Sequence, residues 1–315
     1  MTEKLTNGAV VLVTGGRGLV GRALQNRLAE ANVKVVAPTS SELDLRDPNA
    51  THAFFREVSP DYVFHLAARV YGIMGNIMNK GVSIYENVMI NTNVIEGSRL
   101  AGVKKVVSMG SGCVYPYPPP AEHLTEDMIF RGEPHSSEDS YAHSKRLMYA
   151  MQKAYQEQYG LDYAFVVSGN LFGPHDSFDF ESGHVIPSLV HKFYNAAREM
   201  TPIVAWGTGK AQRDFTYSSD VAEALTFIME GGQGAINMGS GQVHKIHDII
   251  ECLAEVSGIG MDAVQFDTSK PDGQEYRYYD VSKLQALGFK PRVTLAEGLQ
   301  KTYDWFVKNY DQARL

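Results

Sequence analysis

The feature that most restricts the fold lies near the start of the chain, where an apolar run, AVVLVTG (9–15), leads directly into a glycine-rich turn. The run predicts a strand, and GLVGRALQNRLAEA (18–31) predicts a helix that begins within the turn. Two overlapping patterns, GxxGxxG and GxGxxG, are formed by Gly15, Gly16, Gly18 and Gly21. Such glycines permit a tight turn and close backbone approach, and the free N–H groups of the following helix attract a pyrophosphate. The turn predicts dinucleotide binding; a plain strand–helix turn is the alternative.

The first half of the chain alternates short β-rich runs with helical stretches. Further strands are predicted at 33–38, 60–68, 103–111 and 161–169, and helices at 84–102 and 141–160. This alternation is typical of βαβ units and predicts an α/β fold, a Rossmann-type doubly wound parallel sheet with a smaller C-terminal substrate lobe. The segment 213–236 is expected to return to the sheet. The predicted nucleotide-binding domain is therefore 1–169 with that return, and the lobe comprises 170–212 and 237–315.

Composition narrows the possible partners. The 315 residues carry a net charge of −7 and no long basic run, which argues against nucleic-acid or membrane-surface binding. The N-terminus lacks the features of a signal peptide, and no stretch of about 18 apolar residues predicts a membrane helix. Two cysteines, Cys113 and Cys252, do not form a disulfide framework, so we expect a cytoplasmic protein with a free Cys113 thiol.

The second predicted strand indicates which dinucleotide is bound. NAD sites usually place an acidic residue at the end of this strand, to bind the ribose 2′-OH. Here Ala37, Pro38, Thr39 and Ser40 are uncharged, and Arg17 lies within the glycine turn, where it could contact a 2′-phosphate. The pattern favours NADP(H). A solvated loop charge is the alternative for Arg17.

A tyrosine and a lysine four residues apart, Tyr141 and Lys145, lie one turn apart on one face of a predicted helix. A tyrosine with an ordinary pKa of ~10 can act near neutral pH if a neighbouring ammonium stabilises the phenolate. Ser111, at the end of a predicted parallel strand, can bind the same substrate oxygen. Two other pairs with this spacing, Tyr149/Lys153 and Tyr279/Lys283, are interpreted as packing or surface.

With these residues in order, the chain resembles the extended short-chain dehydrogenase/reductase family and, within it, the GDP-L-fucose synthase subfamily. The resemblance covers nearly the whole chain. It rests on the glycine turn, HLAA (65–68), Ser111 and Tyr141/Lys145, and on SGCVYP, GNLFGPHDSF, GHVIPSLVHKF, WGTGKAQRDF, DTSKPDG and TYDWFVKNY.

This resemblance implies a bifunctional enzyme that uses NADPH to convert GDP-4-keto-6-deoxy-D-mannose to GDP-L-fucose by 3,5-epimerisation and 4-reduction. Ser111, Tyr141 and Lys145 would carry out the reduction. Cys113 and His184 would form the epimerisation acid/base pair, with the thiol pKa lowered modestly from ~8.5. A homodimer paired through helices 84–102 and 141–158 is also implied, and no metal site is expected because the nicotinamide carries the hydride.

The resemblance also implies the binding positions. Those for the cofactor are Gly15, Gly16, Arg17, Gly18, Leu19, Val20, Gly21, Asp44, Leu45, Ala67, Ala68, Met109, Gly110, Ser111, Tyr141, Lys145, Ser168, Asn170, Leu171 and His184. Those for the GDP-sugar are Asn170, Lys192, Trp206, Arg213, Asp272 and Arg277.

Two positions depart from the family pattern. Tyr71 stands where a glycine is usual, and Gly112 is a milder change within GSGC. Tyr71 leaves open another GDP-4-keto hexose or heptose as the substrate.

Three rival hypotheses are a 4,6-dehydratase, a simple 4-epimerase and a catalytically inactive nucleotide-sensing protein. A dehydratase would place acidic residues where Gly112 and Cys113 stand, a 4-epimerase would not need Cys113, and an inactive protein would lose Tyr141 or Lys145.

Overall fold

The apolar runs at 10–14, 62–65 and 105–109 form strands that are almost entirely buried, a pattern typical of a parallel sheet covered on both faces. The computed structural model describes residues 5–71, 73–180, 183–269 and 276–315. Its strands, in chain order, are β1 (Val10–Thr14), β2 (Lys34–Val36), β3 (Tyr62–His65), β4 (Lys105–Met109), β5 (His123–Leu124), β6 (Asp162–Ser168), β7 (Asn170–Phe172), β8 (Ile203–Trp206), β9 (Gln212–Tyr217), β10 (Gly234–Met238), β11 (Val243–Lys245), β12 (Val264–Asp267) and β13 (Tyr276–Tyr279).

Helices connect these strands. They are α1 (Leu19–Leu28), α2 (Pro48–Val58), α3 (Ile73–Met78), α4 (Lys80–Leu100), α5 (Asp139–Tyr159), α6 (Val185–Glu199), α7 (Ser218–Gly231), α8 (Ile246–Ser257), α9 (Ser282–Ala286) and α10 (Leu295–Asn309). Short 3₁₀ turns lie at Gly112–Val114, Glu126–Met128, Met261–Ala263 and Tyr310–Gln312. No helix among the described residues is long and apolar enough to cross a membrane.

The largest sheet has the order β10-β6-β4-β3-β1-β2, and every pairing in it is parallel. Successive side chains of β1 point to opposite faces, so Val11 and Val13 pack with α1 and α7, whereas Leu12 packs with α2 and α4. The carboxyl ends of all six strands meet at one edge of the sheet. The predicted Rossmann-type sheet is confirmed, and this edge is where such sheets bind ligands.

Strands of the second half of the chain, joined by β5 from the first half, build smaller sheets. One has the order β11-β9-β13-β5, with β7 added to β9, and the other pairs β12 with β8. A separate apolar core under α6, α8 and α10 includes Phe172, Phe193, Leu253 and Phe306. After β9 and α7 the chain re-enters the large sheet as β10, which pairs with β6.

The predicted boundaries differ from the observed ones by a few residues. The helix predicted at 84–102 begins at Lys80, and the one predicted at 141–160 begins at Asp139, so Tyr141 lies within its first turn. The strand predicted at 60–68 is limited to Tyr62–His65 because the following residues leave the sheet at its ligand-binding edge. Helices α2, α3, α6 and α10 were not predicted, and Asp272 lies outside the described residues.

Candidate active site

The glycine turn is compact because two of its positions have no room for a side chain. Gly15 has φ +73, and a Cβ there would lie 2.8 Å from the Ala67 nitrogen. A Cβ on Gly21 would overlap the Gly15 carbonyl oxygen and lie 2.6 Å from Gly16 Cα. Helix α1 begins after Gly18 without a side-chain cap and without an acidic residue in its first turn. Its free N–H groups are therefore available to a phosphate, which fits a dinucleotide.

Arg17 lies near a carboxylate, that of Glu42, which the search for an acidic residue at the end of β2 did not identify. Arg17 is exposed, and the Thr39 amide donates to Glu42 Oε2 at 2.7 Å. The bond to Thr39, with a smaller effect of Arg17, lowers the pKa of Glu42. The prediction that the end of β2 carries no charge holds only for residues 37–40. The turn after β2 folds Glu42 back beside these residues. An acidic residue two positions beyond that segment was the available signal.

Ser111 and Cys113 follow β4 at the ligand-binding edge. Ser111 is extended, and its Oγ accepts a hydrogen bond from the Cys113 amide at 3.4 Å, at the start of the turn Gly112–Val114. Cys113 is 3% exposed. Burial and, next, the charge of Glu138 raise its pKa to about 12, against smaller opposing effects of Ser111, Arg277 and Lys145. The expected modest lowering of the thiol pKa is therefore wrong for the structure, because burial outweighs the cations.

Lys145 and Tyr141 lie beside that turn. Lys145 is 1% exposed, donates from Nζ to the Met109 carbonyl at 2.8 Å, and has Nζ 5.6 Å from the centre of the Tyr141 ring. Burial lowers the pKa of Lys145 to about 8. The pKa of Tyr141 is raised, first by burial and then by Cys113 and Glu138, rather than lowered as the lysine alone predicts. Tyr141 is therefore protonated at neutral pH, the state that a proton donor requires.

The remaining catalytic prediction, His184, is exposed at the start of α6. It interacts electrostatically with Asp176, whose pKa is raised by burial and lowered less strongly by His184. Asp176 Oδ2 is buried without a hydrogen-bond partner among the described residues. The described contacts thus connect His184 with the loop after β7, and none connects it directly with Cys113.

The predicted substrate residues form two groups. Lys192 Nζ donates to the Val204 carbonyl at 2.9 Å and lies 5.7 Å from the centre of the Trp206 ring, which is exposed. Arg213 and Arg277 are half-buried and repel each other; burial first, then Arg277, lowers the pKa of Arg213 to about 10. Two cations this close to each other fit a diphosphate.

The predicted cofactor residues of the later strands occur along the same edge. Ser168 Oγ donates to the Gly110 carbonyl at 3.3 Å, and Asn170 Nδ2 donates to the Asp214 carbonyl at 3.2 Å. Leu171 is half-buried beside them. In the segment after β2, Asp44 is exposed and paired with Arg46, and the Leu45 carbonyl accepts from Asn93 at 2.9 Å.

Sequence inspection missed a buried polar chain beneath the turn. Thr14 Oγ1 and His65 Nδ1 are 2.8 Å apart, and His65 Nε2 is 3.0 Å from Asn91 Oδ1. Asn91 donates to the Ser144 carbonyl at 3.3 Å, in the helix of Tyr141. Burial first, and then Lys145, lowers the pKa of His65 to about 3, so it is neutral. This chain connects the glycine turn with α5; the polar residues inside apolar runs were its only signal.

Glu138 was also missed. It precedes α5, lies 3.3 Å from Arg277 Nη2, and acts on Cys113 and Tyr141. Tyr149, interpreted as packing or surface, stacks on Phe165 with ring centres 4.9 Å apart.

One group of potential metal ligands occurs among the described residues, His247, Asp248 and Glu251 on α8. Asp248 already accepts from the Lys245 amide at 2.9 Å, and His247 pairs with Glu251 at 3.6 Å. These contacts account for the group without an ion.

Several known proteins are similar to this chain over nearly its whole length. The model of the NAD dependent epimerase/dehydratase family matches residues 11–239. The "Probable GDP-L-fucose synthase 1" of Oryza sativa subsp. japonica is 38% identical over 98% of this chain and 94% of that protein. A GDP-L-fucose synthetase from Naegleria fowleri solved with NADP has a TM-score of 0.91 and 33% identity, covering 100% of this chain and 98% of that one. A GDP-6-OMe-4-keto-L-xylo-heptose reductase from C. jejuni has a TM-score of 0.90 and 28% identity, covering 98% and 100%.

Proposed function

The chain belongs to the NAD dependent epimerase/dehydratase family, and we propose that it converts GDP-4-keto-6-deoxy-D-mannose to GDP-L-fucose with NADPH, as a 3,5-epimerase and 4-reductase. The observation that carries the proposal is the grouping of Ser111, Cys113, Tyr141 and Lys145 at the ligand-binding edge of the sheet. A reductase needs the serine, tyrosine and lysine. A buried thiol beside them adds the base that epimerisation needs.

In the reduction, bound NADPH supplies the hydride that C4 receives. Tyr141 protonates the C4 oxygen, to which Ser111 donates a hydrogen bond. Lys145 is held by the Met109 carbonyl at 2.8 Å, so its charge stays near the phenolate that Tyr141 leaves.

In the epimerisation, the C4 ketone acidifies the hydrogens on C3 and C5. Cys113, two residues beyond Ser111, removes a proton from one face, and His184 returns one to the other face. Because burial keeps the Cys113 pKa high, only a small fraction of the thiol is ionised at neutral pH. We therefore propose epimerisation as the more pH-dependent of the two half-reactions.

The glycine turn fits the NADP pyrophosphate, and Arg17 would bind the 2′-phosphate in competition with its attraction to Glu42. For the GDP-sugar, Arg213 and Arg277 would bind the diphosphate, and Lys192 and Trp206 the nucleoside. We also propose that the chain divides into a nucleotide-binding domain, formed by residues 1–169 and 213–236, and a substrate lobe, formed by residues 170–212 and 237–315.

A GDP-4-keto heptose is the second candidate substrate. Tyr71 supports it, because its half-buried ring packs against Gly75 and near Arg69, in the segment where a glycine is usual. The C. jejuni heptose reductase is the neighbour that gives this candidate weight. An added carbon at C6 would require a differently shaped wall there.

We propose a homodimer formed through α4 and α5, whose outer faces expose Tyr85, Ile84 and Leu147. The two free cysteines, Cys113 and Cys252, are consistent with a cytoplasmic location.

The test is to incubate the purified protein with NADPH and each candidate GDP-4-keto sugar, follow NADPH oxidation and identify the product. Tyr141→Phe should lower kcat at least about a hundredfold while NADPH still binds. Tyr149→Phe is the matched control, because it removes a hydroxyl two turns along the same helix, again with a lysine four residues later. Near-normal turnover by Tyr141→Phe, or an equal loss in Tyr149→Phe, would remove the assignment.

A further inference from the structure

The space beside Gly112 is filled by a hydroxyl from a distant strand. Gly112 lies between Ser111 and Cys113, and a Cβ on it would overlap Tyr279 Oη and lie 2.8 Å from Cζ. A Cβ on Gly169 would lie 3.2 Å from Tyr279 Cε2. The ring of Tyr279 therefore contacts the backbone at the carboxyl ends of β4 and β6. Its hydroxyl occupies the volume that any side chain at residue 112 would need.

The position of this hydroxyl is well defined by packing. Tyr279 is 7% exposed, and its ring centre lies 5.9 Å from that of Tyr115 in the apolar core. Strand β13 is held on both sides, by β9 and by β5, where Tyr279 pairs with Leu124. A side chain fixed in this way positions the groups that it contacts.

The same hydroxyl contacts Arg277, one of the charged residues of the site. Tyr279 and Arg277 point to the same side of β13 and share a hydrogen bond. Arg277 Nη2 lies 3.3 Å from Glu138 Oε1, three residues before Tyr141. Burial alone lowers the pKa of Arg277, but Tyr279, Glu138 and Cys113 together raise it, so Arg277 stays charged. One contiguous set of contacts thus joins the turn of Cys113 to the start of α5.

We propose that Tyr279 is a positioning residue for the catalytic turn Ser111–Cys113 and for Arg277, and that its hydroxyl replaces the side chain that residue 112 lacks. The inference rests on the proposed function for its catalytic consequence. The other part of the proposal, that Tyr279 orients Arg277 to bind a diphosphate, can be tested with GDP alone.

The first test removes the hydroxyl and keeps the ring. Tyr279→Phe should raise the KM for the GDP-keto sugar and the Kd for GDP several-fold, because Arg277 loses a bond that orients it. It should also slow deuterium exchange at C3 and C5 about tenfold, while NADPH affinity is unchanged. Tyr278→Phe is the control, since this neighbour bonds Gln212 Oε1 at 2.9 Å instead. Wild-type KM, Kd and exchange in Tyr279→Phe would overturn the proposal.

The second test separates filling space from positioning. Gly112→Ala should lower the Tm, because its Cβ would overlap the Tyr279 hydroxyl. Adding Tyr279→Leu should restore the Tm by making room, yet leave GDP binding and exchange impaired, because no hydroxyl orients Arg277. Full recovery of binding and exchange in the double variant would mean that Tyr279 only fills space, which contradicts positioning. If the wild type turns over no GDP-keto sugar, the proposed function fails, and the GDP measurements still decide the inference.

Discussion

At the scale of single residues, a candidate site could be proposed from the sequence, but the protonation states of its groups could not be predicted. The order of Ser111, Cys113, Tyr141 and Lys145 along the chain is enough to identify a candidate site. The pKa directions of Cys113 and Tyr141 depend on burial and on Glu138, which comes close only through the fold. The spacing of residues along a helix predicts which side chains are neighbours, but it does not predict how deeply they are buried or how burial shifts their pKa values.

The first residue prediction concerns Cys113. Since its pKa is raised to about 12, the thiolate fraction grows steadily with pH. Deuterium exchange at C3 and C5 without NADPH should therefore rise about tenfold per pH unit between about pH 6 and about pH 9. Cys113→Ser should abolish exchange yet still reduce an already epimerised ketone, and Cys252→Ser is the control. Exchange by Cys113→Ser at the wild-type rate would require another base.

The second concerns Lys145, whose pKa burial lowers to about 8. The ammonium is present below that pH and is lost above it, so kcat/KM for reduction should fall as the pH rises through about 8. An arginine keeps its positive charge at higher pH, so in Lys145→Arg the fall in kcat/KM should move to higher pH, whatever the effect of the substitution on the maximum rate. If kcat/KM falls at the same pH in Lys145→Arg as in the wild type, the fall reports the titration of another group.

At the scale of helices and strands, local pattern predicted the strands of the large sheet, but it missed the short strands and helices α2, α6 and α10. Strand β5 has two residues and pairs with β13, more than 150 positions away, so no local period signals it. That pairing is what brings Tyr279 to Gly112. Tyr279 was interpreted as packing or surface, and its ring does pack in the core. The position of its hydroxyl could not be predicted without this long-range strand pairing.

The element prediction concerns the proposed dimer. Leu147 is 44% exposed on α5, and a charge there would be desolvated in an interface. Leu147→Glu should shift the protein to monomer in multi-angle light scattering. Val307→Glu on α10, at a residue 46% exposed, is the matched control and should not change the mass. A wild-type monomer, or dissociation by both variants, would contradict the α4–α5 interface.

At the scale of the whole molecule, the order of elements implied a nucleotide-binding sheet, and the chain's return as β10 ties its second half to that sheet. The cofactor should therefore stabilise the whole protein. NADPH at a hundred times its Kd should add about 2.7 kcal/mol to the free energy of unfolding. NADH at the same concentration should add less, and Arg17→Ala should narrow the difference. Equal Tm shifts in the wild type would contradict a role for Arg17 with the 2′-phosphate.

The central claim is that one site epimerises at C3 and C5 and then reduces at C4. The most direct measurement is NMR of the product formed from GDP-4-keto-6-deoxy-D-mannose and NADPH in D₂O. The predicted product is GDP-L-fucose with deuterium at both C3 and C5. A GDP-6-deoxy sugar that retains protium and the original configuration at these carbons would contradict the claim, as would no NADPH oxidation at all.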